Sequence, residues 1–357
     1  NMAEYFASPS IKALVNGMAG SQFAIVWAFV AIAFFVDLEM LASILIFFWV
    51  CKIPYYFGEV MGWKTIKGPV DTFPFPHEQH IGAFLGLAGI VLWVSRRHLL
   101  GVLKRILGKA DGIDDSMEAM SYRAAALMIF LSLVFVALWG SMTGLGVASS
   151  LFFFGFLIVC GLSAARIRTE CGAPFTYFTP YYPYLLFYLL GGLNIFPPQT
   201  MVLAFCAGGF MAVAQFLMFA PSQVEMLHLG NQFQASPKGV KWGLILGIVG
   251  GVLLGGYVML VWAYGVGGDH IPYMKDWALG QNWYFNPLRD SIAEADGIAR
   301  AAAQGTQQVT ASAYQQPGPV TAVGVGLGVT VLLTILRARF VGFWLHPIGY
   351  VLANAHF

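Results

Sequence analysis

The amino-acid sequence predicts an all-α, polytopic transmembrane bundle of about nine to ten spans, some of them short or broken, and three observations carry this. Hydrophobic residues fill 58% of 357 positions and charged residues only 10%, against roughly 45–50% and about 25% in an ordinary globular domain. A water-soluble chain of this size could not bury that much apolar surface. The polar positions cluster, leaving apolar stretches of roughly 17–25 residues, the length at which a helix crosses a hydrocarbon core about 30 Å thick. These stretches are uninterrupted rather than alternating in character. In lipid, where the backbone must satisfy its own hydrogen bonds, such runs select helices over a closed barrel.

In chain order the apolar runs are 21–36, 40–58, 79–95, 123–143, 146–165, 182–196, 199–219, 242–264 and 320–336, with a tenth starting near 342. Only Asp37-Leu38-Glu39 separates the first two, too little for an ordinary loop, and 182–196 stops at Pro197-Pro198. Both places read as short or broken helices. The glycines of 247–256 and 324–328 recur at spacings that let helices approach closely, so 242–264 is expected to be an interior helix. The chain divides into a transmembrane region of about eight spans (1–267), an extracytoplasmic loop or small cap (268–318) and a C-terminal transmembrane hairpin expected to be truncated (319–357). The middle segment holds HIPYMKDW, the aromatic NWYFNP and SIAEADGIARAAAQGTQQ, the last with helical propensity.

Lysine and arginine set the orientation. One side collects twelve (Arg96, Arg97, Lys104, Arg105, Lys109, Arg123, Arg166, Arg168, Lys238, Lys241, Arg337, Arg339) and the other six (Lys52, Lys64, Lys67, Lys275, Arg289, Arg300). The first side is therefore expected to be cytoplasmic and the amino terminus of this chain outside. The net charge of +2 gives no nucleic-acid reading, because the basic residues sit at the ends of apolar runs rather than in a patch. Cys51, Cys160, Cys171 and Cys206 show no CxxC spacing and read as small buried hydrophobes. Aromatic residues near run ends, such as Trp49, Tyr55, Trp63, Tyr177 and Trp242, read as interfacial belts.

An ionisable residue in or beside a membrane segment is a functional candidate, because its burial is costly unless compensated. Four clusters qualify. In PFPHEQH, Pro76 opens a helix and puts Glu78 in its first turn; His77, Glu78 and His80 are either a solvated outer terminus or a proton or substrate site at the outer mouth. Two histidines do not make a metal site, and no metal is expected. In ARIRTECGAP, Arg166 and Glu170 are spaced as a helix-end ion pair; they face a cavity if the proline-rich FTYFTPYYPY that follows re-enters the membrane. Asp37 and Glu39 are solvated at the cytoplasmic surface, or ligands of a proton or cation if 22–58 is a pair of half-helices. In RARFVGFWLHP, His346 precedes the proline that opens the next helix and either caps it or acts as a switch.

No phosphate loop, nucleophile elbow, dinucleotide fingerprint, HExxH or haem-attachment motif is present, which argues against ATP-driven or familiar enzymatic chemistry and leaves no cofactor expected. The runs HEQHIGAFLGLAGIVLW, SYRAAAL, ARIRTECGAPF and FVGFWLHPIGYVLA together resemble a family of large bacterial polytopic membrane proteins, known as paired domains of unknown function and distantly similar to oligopeptide transporters. Members are longer at both ends, in keeping with a chain that starts at Asn1 and stops just after an apolar run. The resemblance implies a bacterial inner-membrane protein. With the broken segments it supports a proton-coupled secondary transporter of a small organic solute, a peptide or metal chelate. Glu78 and Glu170 would carry protons, Arg166 would hold an anion or Glu170, and His346 would gate or relay. The partners are then membrane lipid, a small-molecule substrate and no nucleic acid, with a homo-oligomer or larger complex as candidate assemblies. A scaffold subunit, or an intramembrane enzyme acting on lipid or polymer intermediates, is the rival reading.

Overall fold

The computed structural model describes residues 30–31, 33–63, 73–109, 114–115, 118–172, 185–212, 219–267, 270, 289, 293 and 317–353. The proline-rich 173–184, most of the run at 21–36 and nearly all of 268–318 lie outside them. Every element among the described residues is helical. Helix α1 (Leu38–Val50) follows Asp37 and carries Glu39 in its first turn, where the helix dipole favours a negative charge. It breaks at Cys51-Lys52, and α2 (Ile53–Val60) restarts with a proline in its first turn. Pro54 has no N–H to continue the ladder, so the chain is broken here as well as around Asp37. Helix α3 (Pro76–Ile106) opens on proline and closes on Lys104 and Arg105.

Helices α4 (Tyr122–Thr143) and α5 (Val147–Cys171) form a hairpin whose tight turn uses left-handed backbone at Gly144 and Gly146. Helix α5 ends at Gly172, whose N–H returns to the Arg168 carbonyl. A five-residue α6 (Leu185–Leu189) and a 3-10 turn (Gly192–Asn194) precede α7 (Pro198–Ala212) and α8 (Phe219–Gln232). Helix α9 (Pro237–Gly250), capped by the Ser236 hydroxyl, runs through a π turn (Gly251–Gly255) into α10 (Gly256–Val266). Helix α11 (Pro317–Arg339) and the seven-residue α12 (Pro347–Ala353) complete the chain.

Six of these are long and apolar enough to cross a membrane: Leu38–Val60, Pro76–Ile106, Tyr122–Thr143, Val147–Cys171, Pro237–Val266 and Gly318–Arg339. Each falls on an expected run. The count among the described residues is nevertheless six rather than nine to ten, for identifiable reasons. The run 182–196 is interrupted at Gly191 and Gly192, both at positive φ. The run 199–219 holds a fifteen-residue α7 followed by residues outside the described set. Among the described residues from 342 onward, the helix formed is the short, almost wholly buried α12.

The chain separates into two compact units, Asn1–Arg96 with Ala137–Pro221 and Gln308–Phe357, and Arg97–Val136 with Ser222–Gln307. The first holds the buried core, in which Phe47, Ile81, Phe84, Phe156, Ile167, Leu185, Ile348 and Val351 pack together. Helices α3 and α11 cross with their backbones in contact. A Cβ on Gly82 would overlap the Val323 carbonyl, one on Gly326 the Gln79 carbonyl, and one on Gly86 would lie 3.2 Å from the Leu327 oxygen. Helix α12 lies against α1 with Gly349 over Ser43 and Tyr350 edge-on to Phe47, ring centroids 5.7 Å apart. The Ser163 hydroxyl donates to the Phe84 carbonyl at 2.6 Å and ties α5 to α3.

In the second unit, Arg105 pairs with Asp115 at 3.1 Å, and Asp115 also accepts from the Tyr122 N–H. These bonds, the one from Arg105 first, hold the Asp115 carboxyl below its usual range. The expectation that 242–264 is an interior helix does not hold. No residue of α9, the π turn or α10 is buried, and their glycines from Gly243 to Gly265 have no neighbouring atom within 4 Å where a Cβ would stand. Small residues permit close approach without supplying a partner; glycine mediates close approach instead between α3 and α11 and between α12 and α1.

Candidate functional site

Three of the four clusters meet at one end of the first unit, and the fourth lies at the other end. Helix α5 ends in the sequence that carries Arg166 and Glu170 one turn apart, and the two side chains are ion-paired. Arg337, in the last turn of α11, reaches across to Glu39 in the first turn of α1 with Nη2–Oε2 of 3.0 Å, and its Nη1 donates to the Trp344 carbonyl at 3.1 Å. One guanidinium thereby fastens the end of α11, the start of α1 and the connection to α12. His346 ends that connection, with Nε2 3.4 Å from the second Glu170 oxygen. Asp37 stands exposed at the N-cap position of α1.

His346 is held from two sides. Its backbone N–H donates to the Ser43 hydroxyl at 2.8 Å, and that hydroxyl donates to the Glu39 carbonyl at 2.6 Å. Its Nδ1 accepts the Ile348 N–H at 3.2 Å, so the ring caps α12. An accepting Nδ1 places the single ring proton of neutral imidazole on Nε2, facing Glu170. Burial, then the nearby Arg337 and Arg166 charges, outweigh Glu39 and Asp37 and push the His346 ring down to about 4. The imidazole is therefore neutral near pH 7, and its Nε2, 3.4 Å from Glu170, faces the carboxylate without the charge an ion pair needs.

These groups border a cavity of about 310 Å³. Leu87, Ile90, Val91, Val94 and Ser95 of α3 form one wall, Arg166 and Glu170 of α5 another, and Thr334, Arg337 and Ala338 of α11 with His346 and Pro347 the third. The arrangement is apolar on one side and ionic on the other. Arg166 is 52% exposed and Glu170 23%, so the ionic side is reached by solvent. Ser43, which couples α1 to His346 while completely buried, escapes a reading based on ionisable groups. The only signal was a small polar residue inside an apolar run.

His77, Glu78 and His80 do not join this group, being separated from Ser95 by about 25 Å along α3. Nor are they a solvated terminus: Glu78 and His80 are fully buried and His77 is 3% exposed. His80 stacks edge-on to Phe84 with centroids 4.6 Å apart, and the neighbouring Gln79 bonds the Pro74 carbonyl and the Tyr350 hydroxyl. Among the described residues no three His, Cys, Asp or Glu side chains are placed to hold a metal ion.

Six helices of membrane-crossing length, with an ionic cluster confined to one end of one unit, define the class as an all-helical membrane protein. Within that class the chain belongs to the family of unknown function DUF6785, whose model matches residues 1–357. No curated protein and no solved structure matches it.

Proposed function

We propose that this protein is a proton-coupled secondary transporter of a small organic solute, of the peptide or metal-chelate class and similar in kind to the oligopeptide transporters. It would sit in a bacterial cytoplasmic membrane with the amino-terminal side of this chain outside. The short segments α6, α7 and α12 and the run at 21–36 would bring its spans to nine or ten, some of them re-entrant. The observation that carries the reading is the convergence of Arg166, Glu170, Arg337 and His346, from two helices and a connection, on one cavity with an apolar wall. Buried ionic groups beside apolar surface are costly, and one that opens to solvent has the chemistry to bind a charged solute and exchange a proton. Discontinuous elements such as α1 and α2 are the kind that line transporter sites.

In this reading Arg166 holds an anionic group, Glu170 exchanges the proton and His346 donates to Glu170 as relay or gate. Asp37 and Glu39 act from behind, Glu39 by fixing Arg337. Glu78, with His77 and His80, would carry a proton only at a separate, buried station. The test is uptake of labelled dileucine and of a ferric citrate chelate into liposomes containing the full chain, with and without a pH gradient. Gradient-dependent accumulation that Glu170→Gln removes is the expected result. Wild-type uptake by Glu170→Gln strips Glu170 of its role, and no uptake of either probe favours the scaffold or intramembrane-enzyme reading.

A further inference from the structure

We infer that the cavity beside α3 receives a monocarboxylate with an apolar body, which replaces the Glu170 carboxylate on Arg166 while Glu170 takes up one proton. This rests on reading the cavity as the chain's solute site, and it adds the ligand's chemistry and its proton stoichiometry.

The carboxylate is argued from what Arg166 already holds. Its guanidinium is ion-paired with the Glu170 carboxylate, so the position already accommodates that group, and the planar fork of arginine suits it. The single charge is argued from Arg337, the other arginine at the cavity. Its two Nη atoms are taken by Glu39 and the Trp344 carbonyl, which leaves one guanidinium to exchange partners. The apolar body is argued from α3. Leu87, Ile90, Val91 and Val94 fall at i, i+3, i+4 and i+7, one continuous face about 10 Å long. The volume, about 310 Å³, lies at the small end of ligand cavities, roughly 300–1,000 Å³.

The proton follows from charge balance. Arg166 and Glu170 neutralise each other before the ligand arrives, and an entering anion leaves one negative charge in excess. The groups around Glu170 and His346 are Arg166 on the helix of Glu170, Arg337 on α11, and Glu39 with Asp37 at the start of α1, which face His346; the α3 wall offers Ser95 and no titratable group. The arginines already carry their protons. His346 cannot take a second one at Nδ1 without losing the Ile348 N–H bond that starts α12. Glu39 is engaged by Arg337. Glu170, released from Arg166, is the acceptor: a buffer acid in the solvent gives up one proton, which bonds to a Glu170 carboxylate oxygen, while the His346 Nε2–H stays turned toward that carboxyl group.

The experiment is calorimetric titration of the full chain in detergent with N-acetyl-leucine, the uncharged N-acetyl-leucinamide and isoamyl phosphate, each in two buffers of different ionisation heat. N-acetyl-leucine is expected to bind with one proton taken up, its affinity rising up to about tenfold per unit fall in pH while Glu170 is ionised. The amide should bind at least about tenfold more weakly, a loss of about 1.4 kcal/mol. Glu170→Gln should keep binding but lose the proton uptake and the pH slope, and Arg166→Gln should lose binding. Equal binding of the amide, tighter binding of the phosphate, no binding of N-acetyl-leucine, or undiminished proton uptake by Glu170→Gln each overturns the inference. Binding in detergent needs no gradient, so failure of transport in liposomes and failure of this ligand assignment are read separately.

Discussion

Two stretches of α3 lie among polar groups of the same kinds, and the packing around them differs. At Pro76–Gly86, a glutamate and two histidines are buried in the stretch where Gly82 and Gly326 bring the backbones of α3 and α11 into contact. At Leu87–Ser95, the same helix faces a cavity in which a glutamate and a histidine meet two arginines within reach of water. The difference lies in the neighbour's approach rather than in the residue types. Where glycines let helices close, ionisable groups become part of the packing; where larger side chains hold helices apart, they border space a solute can enter. If this is right, perturbing the closed end should cost stability and perturbing the open end should cost ligand chemistry.

The largest effect is expected at the crossing itself. Gly82→Ala puts a methyl group into the Val323 carbonyl, a backbone atom that cannot rotate away, and should lower stability by about 3 kcal/mol or more. Gly89→Ala, on the same helix with nothing within 4 Å, should be neutral or stabilising by up to about 1 kcal/mol. Thermal unfolding in detergent compares the two, and similar melting temperatures would show that α3 and α11 do not pack as described.

The two glutamates give the next contrast. Removing a fully buried side chain from a packed stretch leaves a void, so Glu78→Ala should cost about 2–4 kcal/mol. Glu170 pairs with an arginine that is half exposed, and Glu170→Ala should cost no more than about 1 kcal/mol. Equal costs in the same unfolding assay would erase the distinction between a sealed and an open end. Ser43→Ala should fall between them, at about 1–3 kcal/mol, because it leaves the His346 N–H buried without its acceptor. A wild-type melting temperature would mean that the α1–α12 contact does not depend on this hydroxyl.

Part of this was legible in the sequence. Hydrophobic runs placed all six long helices, because the free energy of transfer into lipid depends on composition over about twenty residues, which a sequence displays directly. Boundaries were less legible: α5 continues past residue 165 through Arg166, Arg168 and Glu170, since charge ends an apolar run but not a helix. The spacing of Arg166 and Glu170 gave their pairing, a local property. The positions of Glu39, Arg337 and His346 around them required knowing that the ends of α1, α5 and α11 meet, which no local pattern encodes. Glycine spacing misled in the same way. It points to a buried 242–264, while glycine brings helices together at Gly82 and Gly326 and at Gly349, on helices whose pairing the sequence does not state.

The smallest expected effect isolates His346, and its sign distinguishes a cap from a charge. The ring is held down to about 4 in the folded protein against about 6.5 in the unfolded chain, so folding favours the neutral form. Its contribution to stability is then complete above about pH 6.5 and is lost as pH falls towards 4, because the unfolded chain binds a proton that the folded one refuses. An ion pair with Glu170 would do the reverse and strengthen as the ring charged. His346→Asn keeps an acceptor for the Ile348 N–H without a titrating group. It should leave stability at pH 7 within about 1 kcal/mol of the wild type and flatten the decline between pH 6.5 and 4.5. Measured across that range, a wild-type melting temperature that rises on acidification, or a variant as pH-sensitive as the wild type, would show that His346 meets Glu170 as a cation and that the open end carries one more charge than the geometry assigns.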